Sequence, residues 1–381
     1  MKGGVRKRGD TWYYYFDLGK IDGKRKKIER KGGRTKKAAL EALNEAMIKY
    51  KHGFVEPKKM SINEYLTDWL ENYIKENRKI NTYNRYNQIF KNNIKPYIST
   101  VLLEDLKPIH IDNLLLQEKK KGLSGSTLQT IYGVLNSSFN RAVKLQIMYE
   151  NPCKFIDRPK RDRFIANILS VDEINKIFNL LNTDIYHDYI MFLALKIILE
   201  LGLRRGELGG LEWKDIDFKN KCINIKNNLI YTDNDVRIST PKTEDSERVL
   251  TISDNLITLL KLHKKIQNSN KLKYGEFYEE NFFNSRKYNF IMTWENGKFV
   301  HPNYYTKNFK KIINKLDLKK NIRFHDLRHT NATLLLQQGI DFKVIQIRLG
   351  HSDINTTLNI YSHVTLDMQK SATDKITALL N

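Results

Sequence analysis

Across 381 residues, 66 lysines and arginines outweigh 43 aspartates and glutamates, giving a formal charge of +23 and a pI near 9.6. That balance points to a polyanionic partner, and the length is enough for two or three domains with well-filled cores. No apolar run reaches the roughly 18 residues of a spanning helix, and the opening M-K-G-G-V-R-K-R-G-D lacks the apolar stretch of a signal peptide, so an intracellular protein with no membrane partner is expected.

Residues 1–59 carry 18 Lys and Arg against 7 Asp and Glu, nearly half of the excess charge. The stretch T-W-Y-Y-Y-F-D-L (11–18) is β-branched and aromatic, Asp22-Gly23 is a hairpin signal, and 26–30 reads as a basic second strand. Thr35 is placed to cap a helix over 36–51, with Ala39, Leu43, Ala46 and Met47 on one face. A small sheet packed on one helix follows. Its aromatic and basic strands read either as a sheet made to enter a DNA groove or as a core strand with a solvated basic face.

Ser61-Ile62-Asn63-Glu64 is a capping box opening a helical region, with helices expected over 62–76, 82–95, 108–121 and 126–146, a four-helix bundle. Lys119, Lys120 and Lys121 close the third helix, either complementing its dipole or touching a nucleic-acid backbone. Asn151-Pro152 and R-P-K-R-D-R (158–163) read as a polar, basic linker with few apolar anchors. The two cysteines, Cys153 and Cys222, form no C-x-x-C pattern and read as reduced thiols rather than as a disulfide or zinc site.

A second capping box, Ser170-Val171-Asp172-Glu173, starts the last domain, and an apolar helix over 188–201 ends at Gly202. In G-L-R-R-G-E-L, Arg204 and Glu207 are three apart, so the carboxylate can hold the guanidinium while its fork points at a phosphate. Lys242, after Pro241, reads as lying on a turn between strands at 229–231 and 248–252. Residues 268–284 show no clear period and read as an insertion or mobile loop. In F-H-D-L-R-H-T, His325 and Arg328 are three apart and can reach one anion. Gly350 ends the apolar run 344–349 as a C-cap, His351 follows at the turn, and Thr356 and Thr357 open a helical segment presenting Tyr361. Guanidinium beside imidazole suits a phosphate oxyanion, and a phenol is a nucleophile for it. His325 and His329 mimic a helical metal pair, but no glutamate stands between them and no third ligand is evident. His363, His329 and Arg205 read as supporting residues. Residues 366–380 form a weakly amphipathic tail.

Arg204, Lys242, His325, Arg328, His351 and Tyr361, in this order and local context, resemble the tyrosine recombinase (phage integrase) family, most closely the phage and conjugative-transposon integrases. The four boxes G-L-R-R-G-E-L, H-D-L-R-H-T, L-G-H-S and Y-S-H-V carry the resemblance, which covers the chain in detail from about Leu169. It implies a mainly α, α+β multidomain protein: an arm-type DNA-binding domain (1–59), a helical core-binding, SAM-like domain (60–152), a linker (153–168) and a catalytic domain (169–381). It implies that Tyr361 attacks a DNA phosphodiester to give a 3′-phosphotyrosyl enzyme. Arg204 and Arg328 would then clamp the phosphate, with Glu207 in support, and Lys242 would protonate the leaving 5′-oxygen. His325 would act as proton acceptor or hydrogen-bond donor near Tyr361, and His351 would donate to a phosphate oxygen. No cofactor or metal is implied, because the ester energy is kept in the covalent intermediate. Double-stranded DNA at core and arm-type sites, a homotetramer, and an excisionase or DNA-bending protein are the implied partners, in the bacterial cytoplasm at the nucleoid. A type IB topoisomerase, or a DNA-binding architectural protein with a silent site, would be built from related parts.

Overall fold

The computed structural model describes residues 2–21, 24–51, 60–162, 166–232, 235–239 and 247–350, and positions 373, 374, 376–378 and 380 of the tail. The chain divides into two compact units, Met1–Arg163 and Phe164–Asn381.

In the first unit, strands β1 (Gly3–Arg8), β2 (Thr11–Ile21) and β3 (Lys24–Gly33) form an antiparallel sheet in that order, and α1 (Lys36–Lys51) packs on one face. Alternation along the strands buries Tyr14, Phe16 and Ile28 against Leu43 and Ala46. It turns Tyr13 and Tyr15 to the other face, where the Arg8 and Arg6 guanidinium groups lie over their rings. Glu29 forms ion pairs with both arginines. Thr35 caps α1 as expected, its Oγ1 accepting from Ala38 N at 3.1 Å. Strand β1 was not foreseen: Gly-Gly followed by a basic run has little strand propensity of its own, and pairing with β2 supplies what the residues lack.

The bundle begins at the Ser61–Glu64 capping box, which is formed. Helix α2 (Ile62–Asp68) runs through a π-helical stretch, Trp69–Ile74, into α3 (Lys75–Asn77). The next helix repeats this device: α4 (Ile80–Ile89), a π-helical Phe90–Ile94, then α5 (Lys95–Ile98). Helices α6 (Pro108–Lys120) and α7 (Gly125–Lys144) complete the layer around Leu66, Ile94, Ile111, Ile131 and Phe139. Lys121 is fastened to the buried Glu118 at 2.9 Å and lies over the Tyr97 ring. The expectation of a polar linker with few apolar anchors is corrected at its start. Asn151 is fully buried, with its amide donating to the Asn136 and Asn140 side chains at 2.7 and 2.9 Å, and Cys153 belongs to the bundle core. Asp162 accepts from Gly125 N at 2.7 Å, so even the polar half of this segment has a fixed contact.

The second unit starts with α8 (Val171–Asn179), whose capping box at Ser170 is formed, and α9 (Tyr186–Leu201). Apolar on nearly every side, α9 is the central helix, and the helices at Asp254–Tyr274 (α11), Pro302–Lys315 (α12) and Asp326–Gln337 (α13) pack on it. Short α10 (Arg205–Gly209) leads to β4 (Ile216–Asp217), β5 (Cys222–Ile225), β6 (Asn228–Thr232), β7 (Asp235–Ser239) and β8 (Arg248–Thr251). Strands β4, β5 and β8 form one antiparallel sheet, and β6 and β7 form a separate hairpin. Two expectations change here. The strand at 229–231 pairs with the unforeseen β7, not with β8, which belongs to the other sheet, and the expected turn carrying Lys242 falls outside the described residues. The stretch 268–284 is largely ordered structure: α11 (Asp254–Tyr274) continues through it, followed by β9 (Asn281–Phe283), which pairs with β10 (Arg286–Tyr288). Asn284 and Ser285 make the connecting two-residue turn, both at positive φ (49° and 61°), as a primed turn requires. Helices α12 (Pro302–Lys315), α13 (Asp326–Gln337) and α14 (Phe342–Leu349) complete the unit. Helices with small antiparallel sheets, in more than one body, make this the α+β multidomain architecture expected. Among the described residues, no helix is long and apolar enough to cross a membrane.

Candidate active site

Two helix ends build the site. Helix α9 stops at Gly202, in the left-handed conformation (φ 65°), and α14 stops the same way at Gly350 (φ 64°). A helix C-terminus leaves carbonyl oxygens without intrahelical donors and carries partial negative charge, so it attracts cations. Here the cations are arginines. Arg328, on α13 and only 1% exposed, donates from Nη1 to Gly202 O at 2.7 Å and from Nη2 to Leu349 O. Arg348 reaches back to Glu200 O at 3.0 Å, and Asn331 donates to the Leu199 and Glu200 carbonyls at 2.8 and 3.1 Å.

Arg204 stands at the N-cap of α10. Glu207 curls back to it, accepting from the Arg204 backbone N–H at 2.9 Å and from Nη1 at 2.7 Å, while Nη2 donates to Gly350 O at 2.9 Å. The Arg204 side chain keeps 38% of its surface, whereas that of Glu207 keeps 3%. The pair therefore offers a guanidinium to solvent from a buried carboxylate base. Burial alone would raise the pKa of Glu207. The hydrogen bond and charge of Arg248 reverse this, with Arg204 and Arg328 adding to them, and the carboxyl is brought down to about 2.

Arg248 is the residue that sequence reasoning missed. It is 7% exposed, donates from Nη2 to Glu207 Oε2 at 2.9 Å and from Nε to the Arg348 carbonyl at 2.7 Å. A signal for it exists in the alternation of R-V-L-T, which turns Arg248 inward together with Leu250 and so demands a buried carboxylate partner. Glu207, 41 positions away, is that partner.

His325 caps α13. Its imidazole is held below the ordinary value, first by the protein packed around it and then by Arg328, with Asp326 opposing. Although solvent reaches the ring, the cations around it favour the neutral form, which can accept a proton at neutral pH. His329, 5% exposed, is brought down to about 4 by burial and then by His325, and its ring meets that of His325 edge-on at 5.2 Å. Arg323 grips Asp326 through two of its guanidinium nitrogens, Nε and Nη2, and fixes the start of the helix. Arg205 points away from this cluster, to Asn303 and Thr306. Among the described residues, no group of three or more His, Cys, Asp and Glu is placed to hold a metal ion.

The structure thus brings together Arg204, Glu207, Arg328 and the α14 C-terminal turn, with His325 beside Arg328. Lys242, His351 and Tyr361, the Thr356–Thr357 segment, His363 and most of the tail lie outside the described residues. Three arginines around one buried carboxylate leave a net positive charge behind the part-exposed Arg204 guanidinium, an arrangement suited to a phosphate diester.

Comparison with known proteins gives a consistent pattern. The phage integrase family profile matches residues 167–367, a phage integrase N-terminal SAM-like domain matches 61–120, and an arm DNA-binding domain matches 5–50. A tyrosine recombinase XerC-like protein of Caldanaerobacter subterraneus subsp. tengcongensis is 29% identical over 364 residues, covering 91% of this chain and 90% of its own. The ICEBs1 integrase of Bacillus subtilis is 28% identical over 303 residues, 79% of each chain. In fold, the chain is similar to the Tn1549 transposon integrase solved in complex with a circular intermediate DNA, at a TM-score of 0.69 and 23% identity over 83% of this chain and 99% of that one.

Proposed function

The chain belongs to the phage integrase family of tyrosine recombinases, and on that premise we propose that it integrates and excises a mobile element by cutting and rejoining double-stranded DNA through Tyr361. The Tyr361 phenol attacks the scissile phosphorus in line, the bond to the 5′-oxygen breaks, and a 3′-phosphotyrosyl enzyme and a free 5′-hydroxyl result. Attack by a 5′-hydroxyl from another strand reverses the step and exchanges partners. The bond energy is conserved, so this reading uses neither cofactor nor metal. Lys242 gives its proton to the departing 5′-oxygen, and neutral His325 takes or shares the phenol proton. Arg204 and Arg328 offset charge growing on the non-bridging oxygens, and His351 adds a donor.

The observation that carries this reading is the Arg204–Glu207 pair, held against the same α14 turn that Arg328 holds, with His351 the next residue in the chain. The first 59 residues are assigned to arm-type DNA sites, 60–152 to one face of the core site, and 169–381 to catalysis, with 153–168 between them. The profiles matched at 5–50 and 61–120 support that division. Assembly as a tetramer on two duplexes, assisted by an excisionase or DNA-bending protein, is part of the same reading. A lambda integrase tetramer bound to a Holliday junction, similar in fold to this chain at a TM-score of 0.58, supports the stoichiometry. The bacterial cytoplasm, at the nucleoid, is the corresponding location.

The test is a nicked suicide substrate that traps the covalent intermediate. Wild-type protein should form a denaturation-resistant adduct, in chelator as well as without it, and Tyr361→Phe should bind the same DNA and form none. An adduct in the phenylalanine variant moves the nucleophile elsewhere.

A further inference from the structure

Arg248 stands outside the set of groups assigned to the reaction, yet it closes a ring of bonds through them. Glu207 Oε2 accepts from Arg248 Nη2 at 2.9 Å and from the Arg204 backbone N–H at 2.9 Å, while Oε1 accepts from Arg204 Nη1 at 2.7 Å. Arg204 continues to Gly350 O at 2.9 Å, and Arg248 Nε returns to Arg348 O at 2.7 Å. Three consecutive carbonyls at the end of α14 are thus held by three different arginines: Arg348 O by Arg248, Leu349 O by Arg328, and Gly350 O by Arg204.

A lone carboxylate hydrogen-bonded to Arg204 could swing with it. Bonded in addition to a buried fork that is itself pinned to a helix end, it cannot. A substitution at Gly350 would also be felt here, since a Cβ there would sit 3.0 Å from Arg248 Nη1. We propose that Arg248 is a positioning residue for strand cleavage: it fixes the carboxylate that aims Arg204 and ties that carboxylate to the turn from which His351 and Tyr361 follow. The proposal rests on the recombinase reading above and adds to it a residue that touches neither DNA nor the reacting atoms.

The experiment measures single-turnover adduct formation on the suicide substrate for wild type, Arg248→Met, Arg248→Lys, Glu207→Gln and the Arg248→Met/Glu207→Gln double variant. A second substrate carries a methylphosphonate at the scissile position. Arg248→Met should slow adduct formation about 10²-fold at saturating DNA, with the half-saturating DNA concentration little changed. Arg248→Lys, which keeps the charge and loses the fork, should fall between. The methylphosphonate removes the negative charge that Arg204 must offset, so on it the gap between Arg248→Met and wild type should close by about tenfold or more. A defect of folding alone would not respond to the charge of the substrate. The double variant should be no slower than Glu207→Gln, because the two residues act along one path. It also carries the test if Arg248→Met does not fold, since it leaves no unpaired buried charge. Wild-type rates in a folded Arg248→Met protein, or losses that multiply in the double variant and persist on the methylphosphonate, would overturn the proposal. A wild-type protein that forms no adduct on the phosphodiester would sink the recombinase reading instead.

Discussion

Replacing Glu207 by glutamine tests the electrostatics of the site through stability rather than activity. The Glu207 carboxyl sits at about 2 in the folded protein against an ordinary 4.5. A depressed folded pKa contributes stability that is present above the unfolded value and is lost as pH falls through the folded one. The separation corresponds to about 3 kcal/mol, to be lost between about pH 4.5 and pH 2. At neutral pH, Glu207→Gln also leaves Arg248 buried without its counter-charge, a change that typically costs about 3–5 kcal/mol. The stability gap between wild type and Glu207→Gln should therefore be of that order at pH 7 and shrink steadily below about pH 4.5, as the wild-type carboxyl takes up its proton. Hydrogen exchange of α9 and α13 amides in graded urea reads the second unit by itself. A gap that stays constant from pH 7 down to pH 3 would show that the charge on Glu207 contributes nothing, and a gap under 1 kcal/mol at pH 7 would refute the buried ion pair.

Lys242→Ala should slow cleavage of ordinary DNA by about 10²- to 10⁴-fold and recover most of its rate when the bridging 5′-oxygen is replaced by sulfur, a leaving group that needs no proton. Arg204→Ala should not recover, and the absence of sulfur rescue in Lys242→Ala would send the search for the acid to His325. Gly202→Ala places a Cβ 2.5 Å from Leu349 Cδ2 and 2.7 Å from Asn331 Oδ1 at a φ of 65°. It should cost roughly 2 kcal/mol or more in thermal or urea unfolding, whereas Gly339→Ala, at a φ of 78° with nothing within 4 Å, should cost only about 1 kcal/mol. Equal losses would remove the packing argument for Gly202. Deleting residues 1–59 should leave cleavage of short core sites intact and abolish binding to a second class of site, whose salt dependence should be steep, roughly −0.9 in log–log slope per phosphate neutralised. A truncated protein that binds both classes equally well would remove the two-site reading.

What could be read from the sequence was what is decided within a few residues. Thr35, Ser61 and Ser170 cap their helices because side chain and target N–H are three positions apart. Gly202 and Gly350 end theirs because only the local backbone conformation is at issue. The pairing of Arg204 with Glu207 was legible for the same reason. The bond from Arg248 to Glu207 was not, because no periodicity links residues 41 positions apart. Strand β1 was missed because its neighbour's hydrogen bonds, not its own side chains, make it a strand, whereas β7 carries its own signal in the alternation of Val236 and Ile238, in a run of 5 residues too short to stand out. The end of α11, from residue 268, looked aperiodic because its inward stripe stops at Gln267 and no residue of 268–274 is fully buried. The π-helical turns leave no compositional mark, since one extra residue in a helix shifts the apolar stripe without changing its content.

The three arginines at the end of α14 also set the order in which the protein becomes able to act while it is being made. Arg204 must wait for a carbonyl 146 positions further along the chain. At about 5–20 residues per second, a ribosome needs roughly 7–30 s to supply it. Until then Arg204 and Arg248 have Glu207 and Arg328 has Gly202 O, but the α14 carbonyls that tie all three together are missing. Tyr361 is made later still, eleven residues after Gly350. An enzyme whose first chemical act is to break a DNA strand is thereby made with its proposed nucleophile last.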